Sequence, residues 1–243
     1  MSDDLNNLMK LKYPDKEWKT FTHTPLLQQM PEVYTETINK NRFYVTPEGN
    51  KYPSITTVLS GRAKEGINAW RERVGEAAAN RIMRAASSRG TAVHELAENY
   101  LNNEELKNQE VLPLFMFTQL KSELDNINNI VMQEGGLYSD KWGIAGRVDC
   151  IADYDGKLTV IDFKTSTKVK KEEWIENYFI QCTAYCEMYE ERYGQAIDQI
   201  AILIVCEDGA IQTFVKDKKD YVPLLQPAID EFWAEQDSQP NSH

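Results

Sequence analysis

Long apolar stretches are missing from this sequence of 243 residues. No run approaches the roughly 20 apolar residues that a membrane-spanning helix requires, so we expect no membrane-embedded segment. The first residues, Met1-Ser2-Asp3-Asp4, are acidic, and neither an apolar signal segment nor an arginine-rich presequence follows them. We therefore expect a cytoplasmic protein that carries no export or organelle-targeting signal.

Cysteine, histidine, glycine and proline are all scarce, with 4, 3, 12 and 9 residues respectively. Four cysteines in a chain of this length do not form a disulfide framework, so a reducing compartment is expected. The low glycine and proline content excludes collagen-like and low-complexity classes. A hydrophobic content of 42% supplies enough side chains for a packed core.

Positive charge is also in deficit, because 27 basic residues face 38 acidic ones and the net charge is −11. This balance argues against a protein that coats duplex DNA without specificity. Two local clusters depart from it: residues 62–89 hold seven arginines and lysines against three acids, and Lys164, Lys168, Lys170 and Lys171 follow later. Charged helix surfaces explain such clusters in most proteins, so their significance depends on the chemistry beside them.

The order of predicted elements indicates one mixed α/β domain. A small hairpin is expected at residues 43–45 and 51–52. Periodicity predicts helices at about 67–86, 88–102, 113–127, 171–193 and 219–236, and strands at about 129–139, 143–154, 157–164, 198–206 and 210–216. Serines at 87–88 are candidates to cap the second helix. Residues 1–42 are polar and irregular and form a predicted N-terminal arm, and residues 43–236 form the predicted core.

The most specific local pattern is a hairpin that carries two carboxylates. Asp155-Gly156 is a preferred pair for a two-residue type I′ turn. This turn places Tyr154 opposite Lys157 and, farther along, Asp149 directly opposite Asp162, with Cα atoms about 4.5–5.5 Å apart. Lys164 points to the same face as Asp162, because side chains alternate along a strand.

Apolar neighbours make this carboxylate pair costly. Val148, Cys150, Ala152, Ile161 and Phe163 are expected to line one buried face of the hairpin, and Ile151 and Val160 make the other face partly apolar. Two acids in such surroundings either share a proton or bind a cation, and oxygen ligands favour Mg²⁺ or Mn²⁺. The alternative is an ordinary surface ion pair between an aspartate and a lysine.

The segment from Asp149 to Asp162-Phe163-Lys164 resembles the signature of the PD-(D/E)XK nuclease superfamily. Two further motifs are similar to those of its RecB-type exonuclease branch: Gly90-Thr91 followed by His94 and Glu98, and Gln181 followed by Tyr185. The hairpin and the stretch 53–59 are especially similar to the mitochondrial genome maintenance exonucleases. The resemblance implies a restriction-endonuclease-like fold, with a central mixed sheet flanked by helices, an N-terminal arm and a helical elaboration.

The resemblance also implies roles for individual residues. The implied catalytic residues are Asp149, Asp162 and Lys164, and the implied metal ligands are His94, Asp149, Asp162 and the carbonyl of Phe163. Glu98 and Glu134 are candidate accessory acids, and Arg89, Thr165, Ser166, Lys168, Gln181 and Tyr185 are candidate DNA contacts. The residues alone favour a core histidine at position 94, and the motif position favours a metal ligand. Gln181 and Tyr185 could extend the apolar stripe of a helix.

The implied function is hydrolysis of phosphodiester bonds in single-stranded DNA with a free end, by an exonuclease that depends on Mg²⁺ or Mn²⁺. Alternatives are a nucleic-acid-binding module without catalysis and a structure- or sequence-specific endonuclease of the same fold. Some RecB-type relatives carry an iron–sulfur cluster, but no CxxC spacing occurs here. We therefore expect no cluster and interpret the cysteines as buried apolar residues. A bacterial or phage source is expected.

Overall fold

The computed structural model describes residues 18–26, 30–39, 41–107 and 110–238. Residues 1–17 of the predicted arm lie outside them. Eight strands are described: β1 (Tyr34–Ile38), β2 (Asn41–Val45), β3 (Lys51–Pro53), β4 (Ile127–Ser139), β5 (Ile144–Tyr154), β6 (Lys157–Ser166), β7 (Gln199–Cys206) and β8 (Ile211–Asp217). Six α-helices accompany them: α1 (Ile55–Ser60), α2 (Lys64–Val74), α3 (Glu76–Leu101), α4 (Val111–Leu124), α5 (Glu176–Tyr193) and α6 (Val222–Ser238).

The central sheet has five strands in the order β4-β5-β6-β7-β8. Only the β6–β7 pair is parallel, and the other neighbours are antiparallel. Helix α5 makes the crossover between the two parallel strands, as a parallel connection requires. The predicted architecture, a mixed sheet flanked by helices, is confirmed.

Apolar side chains cover both faces of this sheet. Helices α1, α5 and α6 pack on one face, and α3 and α4 pack on the other. Residues of β7 alternate between the two clusters, with Ile202 on the α5 side and Leu203 on the α3 side, because successive side chains of a strand point to opposite faces. The four cysteines are buried, in agreement with their interpretation as apolar core residues.

The hairpin turn between β5 and β6 is confirmed. Asp155 and Gly156 have φ angles of +52° and +78°, as a type I′ turn requires at both central positions. Tyr154 pairs with Lys157, and the predicted register continues to Cys150 and Ile161. Val148, however, packs on the α5 side of the sheet, whereas Cys150 packs on the α3 side. The predicted shared face is therefore wrong for Val148, which pairs with Gly135 next to the position where Glu134 and Asp149 form no backbone pair.

Helix boundaries differ from prediction in the region 64–101. The break falls at Gly75, whose φ of +85° ends α2, and α3 then runs through Ser87-Ser88-Arg89-Gly90 without interruption. The predicted serine cap is thus wrong. Its weak local preference is overridden because the second half of α3 buries Val93, Leu96 and Ala97 against the sheet.

The predicted arm is less irregular than expected. Residues 34–38 form β1, which pairs with β2, and the hairpin predicted at 43–52 is confirmed as β2 and β3. Residues 22–24 also hydrogen-bond to Ile130 of β4, and Phe21 is buried in the α3 side of the core. Backbone pairing therefore covers the β4 edge of the sheet. No helix in the described ranges has the length and apolar character needed to cross a membrane.

Candidate active site

Three side chains from three different elements converge beside the point where the backbone pairing of β5 with β6 ends. His94 on α3, Glu134 on β4 and Asp149 on β5 each offer a ligand atom, and these atoms lie within 4.8 Å of one another. The Nδ1 atom of His94 is 3.6 Å from Oδ2 of Asp149. One imidazole and two carboxylates form a donor set that suits a divalent cation such as Mn²⁺ or Mg²⁺.

The position of Glu134 follows from the strand register. The pairs Gln133–Cys150 and Gly135–Val148 flank it, so it faces Asp149 across the β4–β5 ladder. Its own φ of +45° interrupts the ladder at that point. Burial raises the pKa of Glu134 to about 7, and the negative charges of Asp149 and Glu98 add to this shift. Two acids held this close create a site that a cation would stabilise.

Asp162 lies beside this cluster but contacts different partners. Its side chain is only 1% exposed; Oδ2 is 2.5 Å from Nζ of Lys164, and Oδ1 accepts a hydrogen bond of 3.0 Å from Nε2 of Gln181. Burial raises the pKa of Asp162 to about 6 despite the opposing charge of Lys164. His94 and Asp149, two of the expected ligands, thus lie together with Glu134, and Asp162 lies beside this group.

The two aspartates are not joined by the β5–β6 ladder, which ends at Cys150 and Ile161. Instead, Oδ2 of Asp149 accepts a hydrogen bond of 2.9 Å from the backbone N–H of Phe163. The direct opposition of Asp149 and Asp162 predicted from the turn is thus replaced by a side-chain bridge. This bridge holds β6 against β5 where the backbone pairing stops.

Lys164 supplies a positively charged side chain to the site. Its Nζ atom lies 5.1 Å from the centre of the Tyr178 ring in addition to its contact with Asp162. Burial lowers the pKa of Lys164, but the charges of Asp162 and Asp149 outweigh this effect and hold the pKa above its ordinary value. The ammonium group therefore remains protonated at neutral pH.

Gln181 and Tyr185 share one face of α5 and are 7% and 2% exposed. The Nε2 atom of Gln181 lies 3.4 Å from the hydroxyl of Tyr185 and also reaches Asp162. The Tyr185 ring packs against Gly146, where an added Cβ would lie 2.6 Å from Cε1 of the ring. Both side chains face the site from within the core, whereas the sequence predicted contacts with DNA.

The remaining predicted DNA contacts differ in exposure. Arg89 is 12% exposed and forms an ion pair with Glu207 at the end of β7. The hydroxyl of Ser166 donates to the carbonyl of Lys168 at 2.6 Å, so it stabilises a turn. Thr165 is half-buried and Lys168 is exposed. Within the described ranges, neither of these two side chains forms an ion pair or a side-chain hydrogen bond, so both can meet a ligand directly.

The two candidate accessory acids, Glu98 and Glu134, have different positions relative to the cluster. Glu98 lies one helical turn after His94, is half-buried, and acts on the site through its charge near Glu134. Sequence reasoning gave Glu134 only an accessory place. The short connection between the predicted strands 129–139 and 143–154 would have revealed it, because a hairpin pairing Ser139 with Ile144 also brings Glu134 opposite Asp149. The partner of Arg89, Glu207, left no recognisable signal in the sequence.

Comparison with known proteins gives relatives of one kind. The chain is 25% identical over 177 residues to the human mitochondrial genome maintenance exonuclease 1, and 26% identical over 176 residues to the mouse protein of that name. Each alignment covers 66% of this chain, and the chain spans about half the length of these relatives (51% and 52%). The similarity to mitochondrial genome maintenance exonucleases noted from the motifs is thus confirmed.

Solved structures give weaker likenesses. A candidate exonuclease of Eubacterium rectale has a TM-score of 0.45 at 11% identity, over 64% of this chain and 69% of its own. A phage-related exonuclease of Haemophilus somnus 129PT has a TM-score of 0.33 at 14% identity, over 61% and 82%. With TM-scores under 0.5, neither structure specifies the fold or the function of this chain.

The family comparison is decisive for membership. The model of the PD-(D/E)XK nuclease superfamily matches residues 100–241, which is more than half of the chain. This range includes Glu134, Asp149, Asp162 and Lys164, while His94 lies just before it. The chain belongs to the PD-(D/E)XK nuclease superfamily.

Proposed function

We propose that this chain is a divalent-metal-dependent exonuclease that hydrolyses phosphodiester bonds in single-stranded DNA with a free end. One observation carries the proposal: His94, Glu134 and Asp149 form a compact donor set directly beside the buried Asp162–Lys164 pair. Membership of a nuclease superfamily supports the reaction type. The curated relatives named as exonucleases support attack from a free end.

His94, Glu134 and Asp149 would hold the cation, and the Asp162 carboxylate and Phe163 carbonyl would complete the set. Support for the Phe163 carbonyl comes from strand geometry. The N–H of Phe163 points to Asp149, and a residue that pairs with a neighbouring strand directs its N–H and C=O to the same edge. A bound Mg²⁺ or Mn²⁺ would polarise the phosphate and lower the pKa of a water molecule.

Lys164 has two roles open to it: it can accept a proton from the attacking water, or it can orient that water and stabilise charge. In the metal-free protein the charges of Asp162 and Asp149 hold its pKa above the ordinary value, which favours the second role. In that role it donates hydrogen bonds that orient the attacking water, and its charge stabilises the negative charge that develops on the phosphate oxygens. Asp162 and the Tyr178 ring fix the ammonium group for this task.

Gln181 is a positioning residue in this proposal. Its Nε2 atom holds one oxygen of Asp162 while Lys164 occupies the other. The Asp162 carboxylate, which is itself 1% exposed, therefore has one defined orientation. Supporting hydrogen bonds of this kind tune the groups that contact a metal or a substrate.

Basic side chains outside the site supply candidate phosphate contacts. Arg73, Arg81 and Arg84 on α2 and α3 are exposed, and within the described ranges they form no ion pair. Arg71, by contrast, contacts Glu76 at 2.8 Å and Asn80 at 2.6 Å. The first three arginines, together with Lys168 and Thr165, are therefore the better candidates for contacts with a strand.

The test uses labelled DNA in four forms: linear single strands and linear duplexes that carry an end label, and circular single strands and circular duplexes that carry an internal label. Each is incubated with Mg²⁺, Mn²⁺ or EDTA. We expect linear single strands to be shortened with either metal and circular strands to persist. Cleavage of circular DNA would indicate an endonuclease, and binding without cleavage under every condition would indicate an inactive binding module. A Lys164→Met variant is the control for contaminating nucleases.

A further inference from the structure

A short loop, residues 167–174, joins two elements of the site. It begins after β6, which carries Asp162 and Lys164, and ends just before α5, which carries Tyr178 and Gln181. We call it the lysine loop, because Lys168, Lys170 and Lys171 project from it. All three are exposed, and so are Val169 and Trp174, the latter to 64%.

The lysine loop is held in one conformation although its side chains face solvent. The side-chain amide of Gln212 on β8 pairs with the backbone of Lys170 in both directions, at 2.6 Å and 2.9 Å. Ser166 Oγ donates to the carbonyl of Lys168 at 2.6 Å, and Lys216 binds Glu172 at 2.6 Å. These contacts tie the backbone of the loop to β6 and β8 without burying the indole or the lysines.

The charged side chains of the lysine loop that have no ion-pair partner in the described residues are positive. Lys168 and Lys170 form no ion pair with any acid in the described parts of the chain. Lys216 compensates Glu172, and Lys171 lies 3.6 Å from Glu173. Lys171 also lies 5.2 Å from the centre of the Trp174 ring, a cation–π contact that orients the indole.

We propose that the lysine loop docks single-stranded DNA, with a nucleobase stacked on Trp174 and phosphates bound by Lys168 and Lys170. The inference rests on the proposed function, which it deepens by naming the feature that selects single strands. Only an unpaired base can present its face to an indole, and base–aromatic stacking combined with basic side chains is the usual basis of single-strand binding. A protein partner fits less well, because lysine is depleted at the centres of protein interfaces.

The distance between Trp174 and the site is consistent with a DNA strand that runs from the lysine loop to Lys164. Trp174 and Tyr178 are four residues apart, so their Cα atoms are separated by at most ~15 Å. The ring of Tyr178 lies 5.1 Å from Nζ of Lys164. A base on Trp174 would therefore belong to a nucleotide only a few positions from the bond that is cleaved.

The first test measures binding of labelled oligo(dT) in EDTA, where no cleavage occurs. We expect Trp174→Ala to weaken binding between about five-fold and about a hundred-fold, and Trp174→Phe to retain most of the affinity. Binding of a matched duplex should change little. Trp233→Ala is the control, because Trp233 is a 42% exposed tryptophan on α6. A folded Trp174→Ala protein with unchanged oligo(dT) affinity overturns the proposal.

The second test addresses the lysines. In Lys168→Gln with Lys170→Gln, the dependence of log affinity on log salt should flatten by about 1.4, since each lost phosphate contact contributes about 0.7 for a single strand. Lys107→Gln is a control for loss of an exposed lysine outside the lysine loop, because Lys107 is exposed and pairs with Glu104. An unchanged slope in the double variant would place the strand elsewhere.

Failure of the inference can be separated from failure of the proposed function. If the wild-type protein cleaves single strands and Trp174→Ala keeps the same affinity and KM, the lysine loop is not the docking surface and the nuclease proposal stands. If the wild-type protein binds oligo(dT) through Trp174 but never cleaves with Mg²⁺ or Mn²⁺, the docking surface stands and the nuclease proposal fails.

Discussion

Gln181 donates a hydrogen bond of 3.0 Å to Asp162, although the two residues lie on different elements, α5 and β6. Both side chains are buried, so neither can exchange this partner for water. Lys164 occupies the other carboxylate oxygen at 2.5 Å. The orientation of the central acid of the site is therefore set by one amide and one ammonium group.

Gln181→Ala should lower kcat about 10- to 100-fold, in the range found for supporting partners of metal sites, and should change KM little. Loss of the amide frees Asp162 to rotate and leaves Lys164 less well placed. Gln199→Ala is the matched control, because Gln199 makes two hydrogen bonds near the β5–β6 turn at the other end of the sheet. Steady-state kinetics with labelled single-stranded DNA test this prediction. Equal losses of kcat in both variants would indicate a general effect on folding.

Asp149→Asn should abolish cleavage without lowering the stability of the metal-free protein. The amide oxygen can still accept the N–H of Phe163, while the charge that faces Glu134 and Asp162 is removed. Thermal unfolding in EDTA should show an unchanged or higher Tm. Added Mn²⁺ should raise the Tm of the wild-type protein, because a ligand of the native state stabilises it, and should not raise that of the variant. A lower Tm in EDTA would instead mean that the charge of Asp149 is structural.

The stability of the metal-free protein should depend on Glu134 between about pH 4.5 and pH 7. The pKa of this carboxyl is raised to about 7 in the folded protein, against an ordinary value of about 4.3. The folded state then holds a proton that the unfolded state has lost, so this group makes stability fall as pH rises through the interval. Urea unfolding of wild type and Glu134→Gln should show the variant gaining relative stability as pH increases. A difference that is constant with pH would contradict the raised pKa.

Glu207→Gln should strengthen binding of single-stranded DNA at low salt. The substitution releases Arg89 from its ion pair. The freed guanidinium can then bind a DNA phosphate, which is the role that the sequence motif predicts for Arg89. The salt slope should steepen by about 0.7 if one contact is gained. Glu104→Gln removes the same charge from a pair with Lys107 and controls for the overall field. Equal effects of the two substitutions would show that Arg89 does not reach the strand.

The sequence alone was sufficient to predict the features that depend on interactions between residues close together in the chain. The Asp155-Gly156 pair determines the turn, because few residues accept two consecutive positive φ angles, and the turn determines the register as far as Cys150 and Ile161. Strand alternation then places Asp162 and Lys164 on one face. The order of the strands and helices along the chain was equally accessible, since each depends on the apolar pattern of a short window.

Tertiary structure decided which of these groups meet. His94 reaches Asp149 only because the buried half of α3 packs on the sheet, and that packing also keeps α3 helical through Ser87–Gly90. Glu134 joins the cluster through an irregular position in β4, and Gln181 turns inward to Asp162 instead of outward to a ligand. Turn chemistry acts over a few residues, whereas these contacts join positions that are distant in the chain, and their geometry is determined by how the whole core packs.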